Sequence, residues 1–457
     1  MVYFYNENEK NLIEDNIKHI VTKARIYSIT YKLEPTLAEY KKVHNILLDF
    51  IAKNNRVVYG GYAWNKLISQ KNPEDAFYHK DLIEFPDIEF YSFEPIKDTI
   101  KLCDFFHENN FKHVQFEEAS HHETYSLFVN NHNYADVSYM PKILYNKLKY
   151  RLVDNIRLSD PNFIYIDIYR MLNDPITSYW RIEKSLKRAQ ILMKHYPLNI
   201  KSKFVRRNID KSTETVLNFV RQQIIENSEL LVFGYYAYEY FLYKGTDEKK
   251  NLYVPYYDVI STNLENDAQL IFKKLQEYDK NIKVEEYHKF FQFLDKSVTF
   301  KFNGKVILNI YGANELCIPY IKIDKKKINI VTYPYMIQMF LIKSLYHNVF
   351  NDIEESMNLN HLLLELIKIR NKYLKSNKKT ILDETPFQEF RIDCLGDTID
   401  SMRKNRLKIK ENIEKGLPSR LRYVPAESND RKKNKLLEYN YDNSSGKLNS
   451  SNRRMFT

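Results

Sequence analysis

The sequence predicts an α+β protein of two tandem units, each a mixed sheet with flanking helices, followed by C-terminal helices and a basic tail. Two observations carry that prediction. A strand, a pair of glycines, a helix and then a strand alternating apolar with acidic residues occupy Arg56 to Glu89. The same landmarks return, in the same order, from Leu230 onward.

Residues 9–54 read as two helices. The second starts after Pro35, and Leu37, Tyr40, Val43, Ile46, Leu47 and Phe50 follow a 3.6-residue period. Arg56 to Tyr59 reads as a short buried strand. Gly60 and Gly61 then turn the chain into a helix beginning near Ala63, a step at which backbone N–H groups can approach a phosphate without side-chain obstruction. Pro86 opens the next strand, in which Ile88 and Phe90 point to one face and Asp87 and Glu89 to the other. Adjacent carboxylates repel each other, and a pair of hard divalent cations, Mg²⁺ or Mn²⁺, is their natural occupant. A helix at 95–110 and strands at 114–117 and 124–129 follow. In Y-A-D-V-S-Y, Ala135 and Val137 face inward and Asp136 joins the face of Asp87 and Glu89. Helices are expected at 141–152, 165–173 and 175–195, then a basic linker at 201–211.

The second unit is read by alignment to the first. L-L-V-F-G-Y-Y-A matches R-V-V-Y-G-G-Y-A, V-P-Y-Y-D-V-I-S-T matches I-E-F-P-D-I-E-F-Y, and K-V-I-L-N-I-Y-G matches H-N-Y-A-D-V-S-Y. The offsets are 174 for Gly60 to Gly234, 171 for Asp87 to Asp258 and 173 for Asp136 to Asn309, an internal duplication. In that alignment Glu89 becomes Ile260, Asp136 becomes Asn309 and Gly61 becomes Tyr235, leaving Asp258 as the one carboxylate. The second copy is therefore expected to be inactive and to serve packing or RNA binding. The division drawn is 1–200 for the catalytic domain with its N-terminal helices, 201–396 for the degenerate one, and 397–457 for a basic helix and disordered tail.

Composition narrows the setting. The chain has 37 Tyr and 27 Phe but only 9 Gly, so a glycine pair is informative. Cys103, Cys317 and Cys394 lie far apart and suggest neither a disulfide framework nor a zinc site, as in a reducing compartment. The N-terminus lacks the basic-then-apolar order of a signal peptide, and no uncharged apolar run approaches membrane-spanning length. A soluble intracellular protein is expected. The last 57 residues hold 15 Lys+Arg and 6 Asp+Glu, so +9 of the net +11 is concentrated there, which suits either a polyanion partner or a solvated tail.

The order apolar-Gly-Gly, then Asp-x-Glu on a strand, then a lone Asp on a later strand resembles the polymerase-beta-like nucleotidyltransferase superfamily. G-G-Y at Gly60, D-I-E at Asp87, A-D-V at Asp136 and R-M-L-N-D-P-I-T-S-Y-W-R-I-E-K at Arg170 carry a likeness of the whole chain to the poxvirus-type poly(A) polymerase catalytic subunits of large cytoplasmic DNA viruses. Two departures stand out. Tyr62 occupies a position where the superfamily often has Ser, and the Gly61-to-Asp87 spacing is longer than usual.

The resemblance implies two tandem nucleotidyltransferase-like units, the second degenerate, and addition of AMP from ATP to an RNA 3′ end by a two-metal mechanism. Asp87, Glu89 and Asp136 would be the metal ligands and catalytic carboxylates, and Gly60, Gly61 and Tyr62 would line the nucleotide. Arg181, Lys184 and Arg188 share one face of the 175–195 helix, with Lys184 the chosen phosphate-binding cation, unless that face is simply solvated. Trp180 and Tyr139 either stack on adenine or pack in the core. Lys201, Lys203, Arg206, Arg207 and the K-I-D-K-K-K run at Lys322 are candidate RNA contacts. Implied partners are ATP, RNA and either a second copy of the chain or a processivity subunit, with no membrane, in the host cytoplasm, a viral factory or the virion. The competing readings are a CCA-adding or oligoadenylate-type enzyme and a non-catalytic RNA-binding scaffold.

Overall fold

The structure is a computed structural model, and it describes residues 4–28, 30, 35–78, 86–121, 123–246, 253–313, 316–323, 328–399, 401–416, 420–439 and 441. In chain order come α1 (Glu7–Tyr27), α2 (Leu37–Lys53), β1 (Val57–Tyr59), α3 (Gly60–Lys71), β2 (Ile88–Ser92), α4 (Pro95–Glu108), β3 (Gln115–Glu118), β4 (Thr124–Val129) and β5 (His132–Tyr139). Next are α5 (Lys142–Lys147), β6 (Tyr150–Val153), β7 (Ile156–Ser159), α6 (Pro161–Leu172), α7 (Pro175–His195) and α8 (Lys211–Gln223). Then follow β8 (Leu231–Phe233), α9 (Gly234–Thr246), β9 (Tyr257–Ser261), α10 (Leu264–Tyr278), β10 (Lys283–Tyr287), β11 (Ser297–Phe302) and β12 (Lys305–Gly312). The chain ends with β13 (Cys317–Ile323), β14 (Ile328–Val331), α11 (Tyr333–Val349), α12 (Ile353–Ser376), β15 (Cys394–Gly396), α13 (Ser401–Glu414), β16 (Arg422–Tyr423) and α14 (Asp430–Leu437).

Two compact units emerge, each around its own mixed sheet. One uses the described parts of residues 1–140, 149–160 and 405–441, the other those of residues 141–148 and 161–404. The sequence reading cut the chain at 200 and 396. The stretch from 161 to 200 instead packs within the second unit, and the segment from 405 to 441 within the first.

The first sheet runs β16-β3-β4-β5-β2-β1-β7-β6 and the second β10-β11-β12-β9-β8-β14-β13-β15. Seven consecutive strands of one therefore match seven of the other, from β3 against β10 to β6 against β13. The parallel pairs β2·β5 and β1·β7 recur as β9·β12 and β8·β14. Even the register break repeats, between Leu127 and Phe128 in β4 and between Phe300 and Lys301 in β11. The duplication is thus structural as well as sequential.

The alternation read from the sequence holds on both central strands. Ile88, Phe90, Ala135 and Val137 are fully buried, each such apolar side chain worth roughly 1–3 kcal/mol. On α2, Val43, Leu47 and Ile51 form the buried stripe, and the Thr36 hydroxyl caps the helix by accepting from Glu39 N–H. Helix α7 begins at Pro175 and ends at His195, the bounds expected.

Three further expectations need correction. The helix foreseen to Leu152 stops at Lys147, and a hairpin, β6–β7, turns at Asp154 and Asn155 with φ of 50° and 62°. Cys317 and Cys394 form a disulfide with Cα atoms 5.3 Å apart, because β13 pairs with β15. Part of the tail expected to be disordered is folded: within residues 425–439 α14 forms and Lys433 pairs with Asp104, and the Tyr441 ring stacks on Tyr139 at 4.5 Å. Residues 442–457 lie outside the described residues.

The alignment of the two copies also shifts. Tyr59 pairs with Glu89 across β1 and β2, and Phe233 with Asp258 across β8 and β9. Asp258 therefore corresponds to Glu89, at an offset of 169, and Asp87 corresponds to Tyr256. Ser92, which donates to Asp98, is mirrored at the same offset by Ser261, which donates to Asp267.

Candidate active site

The glycine step is fixed by what lies beneath it. Gly60 sits at φ +65°, and a Cβ there would come within 1.6 Å of Glu89 Oε2. Only glycine satisfies both the left-handed backbone and that close approach. Helix α3 starts at Gly60 itself rather than near Ala63, and the Gly61 N–H donates to Glu89 Oε2 at 3.1 Å. The helix N-terminus thus faces a carboxylate on the neighbouring strand, the electrostatically favoured arrangement.

Glu89 and Asp136 are register partners on the adjacent parallel strands β2 and β5. Asp87 stands two residues before Glu89, one residue ahead of the start of β2. Asp87 is exposed and the other two are half-buried, so the acidic face is open to solvent. Asp136 Oδ1 accepts from Ser126 Oγ at 2.6 Å and from Asn133 Nδ2 at 3.2 Å. Around Asp87, the His44 ring contacts the Pro86 carbonyl at 2.9 Å, and Tyr40 meets His132 at 2.5 Å. Burial lowers the affinity of His44 and His132 for a proton, partly offset at both by the nearby Asp87 charge.

The expected convergence of three acidic side chains is not seen. Among the described residues no three His, Cys, Asp or Glu side chains gather as a metal-ligating group. Glu89 leans toward the glycine step and Asp136 toward Ser126. The backbone positions and the donor chemistry nonetheless fit divalent cations. Carboxylates at Asp87, Glu89 and Asp136 are a hard-oxygen donor set, and Glu89 and Asp136 stand in register on adjacent strands.

The equivalent carboxylate of the second copy is buried and already paired. Asp258 is fully buried, and Lys343 from α11, itself 2% exposed on its side chain, reaches its Oδ2 at 2.5 Å. Asn309 Nδ2 donates to the other oxygen at 2.9 Å. The Lys343 ammonium also lies over the rings of Phe233, Tyr256 and Tyr311 at 5.6, 4.9 and 5.7 Å. A side-chain cation here answers the charge of the one carboxylate that survives.

Comparison with known proteins places this architecture. Residues 45–178 match the poly(A) polymerase catalytic subunit family, and residues 190–455 match the family described as APMV poly(A) polymerase, catalytic subunit, C-terminal. A protein of Acanthamoeba polyphaga mimivirus assigned as a poly(A) polymerase catalytic subunit is 32% identical over 92% of this chain and 78% of its own length. The chain belongs to the poly(A) polymerase catalytic subunit family. An African swine fever virus protein given the same assignment is 25% identical over 39% of this chain and 38% of its own. The crystal structure of the Megavirus polyadenylate synthase superposes with a TM-score of 0.92 at 29% identity, covering 99% of this chain and 95% of that one.

Within this poly(A) polymerase family member, the other predicted site residues divide clearly. Tyr62 follows the glycine pair, its ring 6.0 Å from His44 and 5.9 Å from the Lys66 ammonium. Arg181, Lys184 and Arg188 lie on α7, in the second compact unit, with Lys184 exposed. Trp180 on the same helix is 68% exposed, so it is not a core residue, and the Arg181 guanidinium lies 5.6 Å from its ring. Tyr139 is a core residue, covered by Tyr441. Lys201, Lys203 and Arg206 are exposed on the segment after α7, whereas Arg207 is half-buried and paired with Glu354 and Glu355. Lys322 is on β13, and residues 324–327 of its basic run lie outside the described residues. Among the described residues no helix is long and apolar enough to cross a membrane.

Sequence reasoning missed Ser126 and Asn133, which hold Asp136, and Lys343. The signal for Lys343 was available: a lysine inside Y-P-Y-M-I-Q-M-F-L-I-K, an otherwise apolar helix, requires a buried partner.

Proposed function

We propose that the chain is a template-independent polynucleotide adenylyltransferase that adds AMP from ATP to RNA 3′ ends. The observation that carries this is the open acidic face: Glu89 and Asp136 in register beside the Gly60 step, in a member of this family. Bound at Asp87, Glu89 and Asp136, a pair of Mg²⁺ or Mn²⁺ ions would supply charge compensation at the α-phosphate and acidify the attacking hydroxyl. Asp136, whose Oδ1 accepts from Ser126 and Asn133, would take the proton of the RNA 3′-hydroxyl. The 3′-hydroxyl oxygen would bond to the α-phosphate of ATP as the bond to pyrophosphate breaks, and the Gly61 N–H, which here donates to Glu89, would turn to the triphosphate. Lys184, Arg181 and Arg188 are the cations assigned to the phosphates, and Lys201, Lys203 and Arg206 to the RNA backbone. A second copy of the chain or a processivity subunit completes the reading.

The test is extension of a labelled oligo(A) primer with each of the four NTPs and Mg²⁺. ATP is the expected substrate, giving 3′–5′ linkages and thereby separating this activity from CCA addition and oligoadenylate synthesis. Asp136→Asn and Glu89→Gln should each lower the rate by on the order of 10²–10³-fold with an unchanged melting temperature. Wild-type extension by Asp136→Asn would overturn the assignment.

A further inference from the structure

The second copy keeps a single carboxylate of the acidic set, Asp258, and has a cavity of its own. A pocket of about 410 Å³ opens over its sheet face, within the ~300–1,000 Å³ range of small-ligand sites. It is lined by Asn309, Thr299 and Tyr256, which by strand register are the counterparts of Asp136, Ser126 and Asp87. The pocket therefore occupies the position of the open acidic face in the first copy, with its chemistry inverted.

Where the first copy offers carboxylates, this wall offers an amide and a hydroxyl already bonded to each other, Thr299 Oγ1 donating to Asn309 Oδ1 at 2.7 Å. The one remaining carboxylate beneath, Asp258, is neutralised internally by Lys343. Tyr256, Tyr287, Tyr311 and Tyr346 supply ring surface. Arg207, Lys301 and Lys305 line the pocket against one lining carboxylate, Asp352. Each cation also has a carboxylate partner: Lys301 pairs with Glu285 at 2.7 Å, Lys305 with Asp210, and Arg207 with Glu354 and Glu355 at 3.3 and 3.2 Å. The Lys305–Asp210 pair is about half exposed on both sides, a solvent-screened pair that yields readily to a phosphate.

We infer that this pocket is a second nucleotide site, binding an adenine nucleotide without a divalent ion. The base stacks among the tyrosines and the phosphate meets Lys301 and Lys305 at the rim. The nucleotide can be free or one residue of the RNA strand, since the recognising chemistry is shared. The site does not depend on catalysis by the first copy.

The experiment uses the full chain in EDTA, photolabelled with 8-azido-AMP or with oligo(A) carrying the same base, followed by peptide mapping. Label is expected in residues 283–311 and 346–352. Competition by AMP identifies free nucleotide as the source, and labelling by oligo(A) that AMP does not displace identifies the RNA strand. Lys301→Ala/Lys305→Ala should weaken labelling about tenfold, the loss of two charge-assisted contacts. The exposed Lys305→Glu serves as a second variant should the double substitution lower the melting temperature. Label confined to residues 56–139, no label at all, or equal labelling of folded variants would overturn the inference. Mg²⁺-dependent primer extension on the same preparations reports separately on the first copy.

Discussion

Removing the Lys343 charge tests the interpretation of the second copy most directly. Lys343→Met keeps the length and apolar character of the stem while deleting an ammonium whose side chain is 2% exposed, 2.5 Å from a carboxylate that is fully buried. Asp258 would then retain only the Asn309 amide, at 2.9 Å, as a described hydrogen-bond partner. Breaking a buried pair from one side costs about 3–5 kcal/mol, because the remaining charge is stranded. For a unit of this size that corresponds to a fall of roughly 6–20 °C in melting temperature. Asp258→Asn strands the other charge and should cost a similar amount, eased by the three rings around the ammonium. The double variant removes both charges together with their desolvation cost, so it should recover most of the loss, a coupling of several kcal/mol in the cycle. Thermal and urea melts of the four proteins supply the measurement. A Lys343→Met chain as stable as wild type, or a double variant that loses the sum of the singles, would refute the reasoning. The double variant should also extend a primer at the wild-type rate, since this pair belongs to the copy without an acidic face.

Gly60→Ala should abolish primer extension, because its Cβ would displace the Glu89 carboxylate and its backbone would be strained by ~1–2 kcal/mol. Gly304→Ala is the control: φ is +78° but nothing lies within 4 Å, so activity should persist with only the backbone cost visible in a melt. Thiol counting checks the cysteines. Burial, reinforced by Asp104, pushes the Cys103 thiol well up, so it should resist alkylation in the native chain and react once denatured. Denatured but unreduced protein should show one free thiol and reduced protein three; three before reduction would exclude the Cys317–Cys394 bond.

Local chemistry made much of the first copy legible. A glycine pair in a glycine-poor chain marked the strand-to-helix step, and strict alternation separated Ile88 and Phe90 from Asp87 and Glu89. That same alternation caused the misalignment of the copies. With a period of two, Asp87 and Glu89 share a face, so pattern alone could not decide which of them Asp258 replaces; only the pairing of Phe233 with Asp258 decides it. The β6–β7 hairpin was signalled by V-D-N-I, since Asp and Asn tolerate the positive φ of a tight turn, but the signal is short beside a helical run. The cysteine pairing could not be read, because 77 residues separate the partners and a strand pairing brings them together. Side-chain rotamers are the least legible: Glu89 and Asp136 share a register, yet their carboxylates turn to different neighbours.

The return of residues 405–441 to the first unit has a consequence for biosynthesis. Arg422 and Tyr423 form the edge strand of a sheet whose other members precede residue 160, and Tyr441 covers Tyr139. During translation the intervening 161–404 segment must emerge from the ribosome before that edge can close. A nascent chain therefore carries an open β-edge on its N-terminal half for most of its synthesis. A product terminated before codon 422 would keep all three acids and still lack the strand that covers the β3 edge against edge-to-edge association.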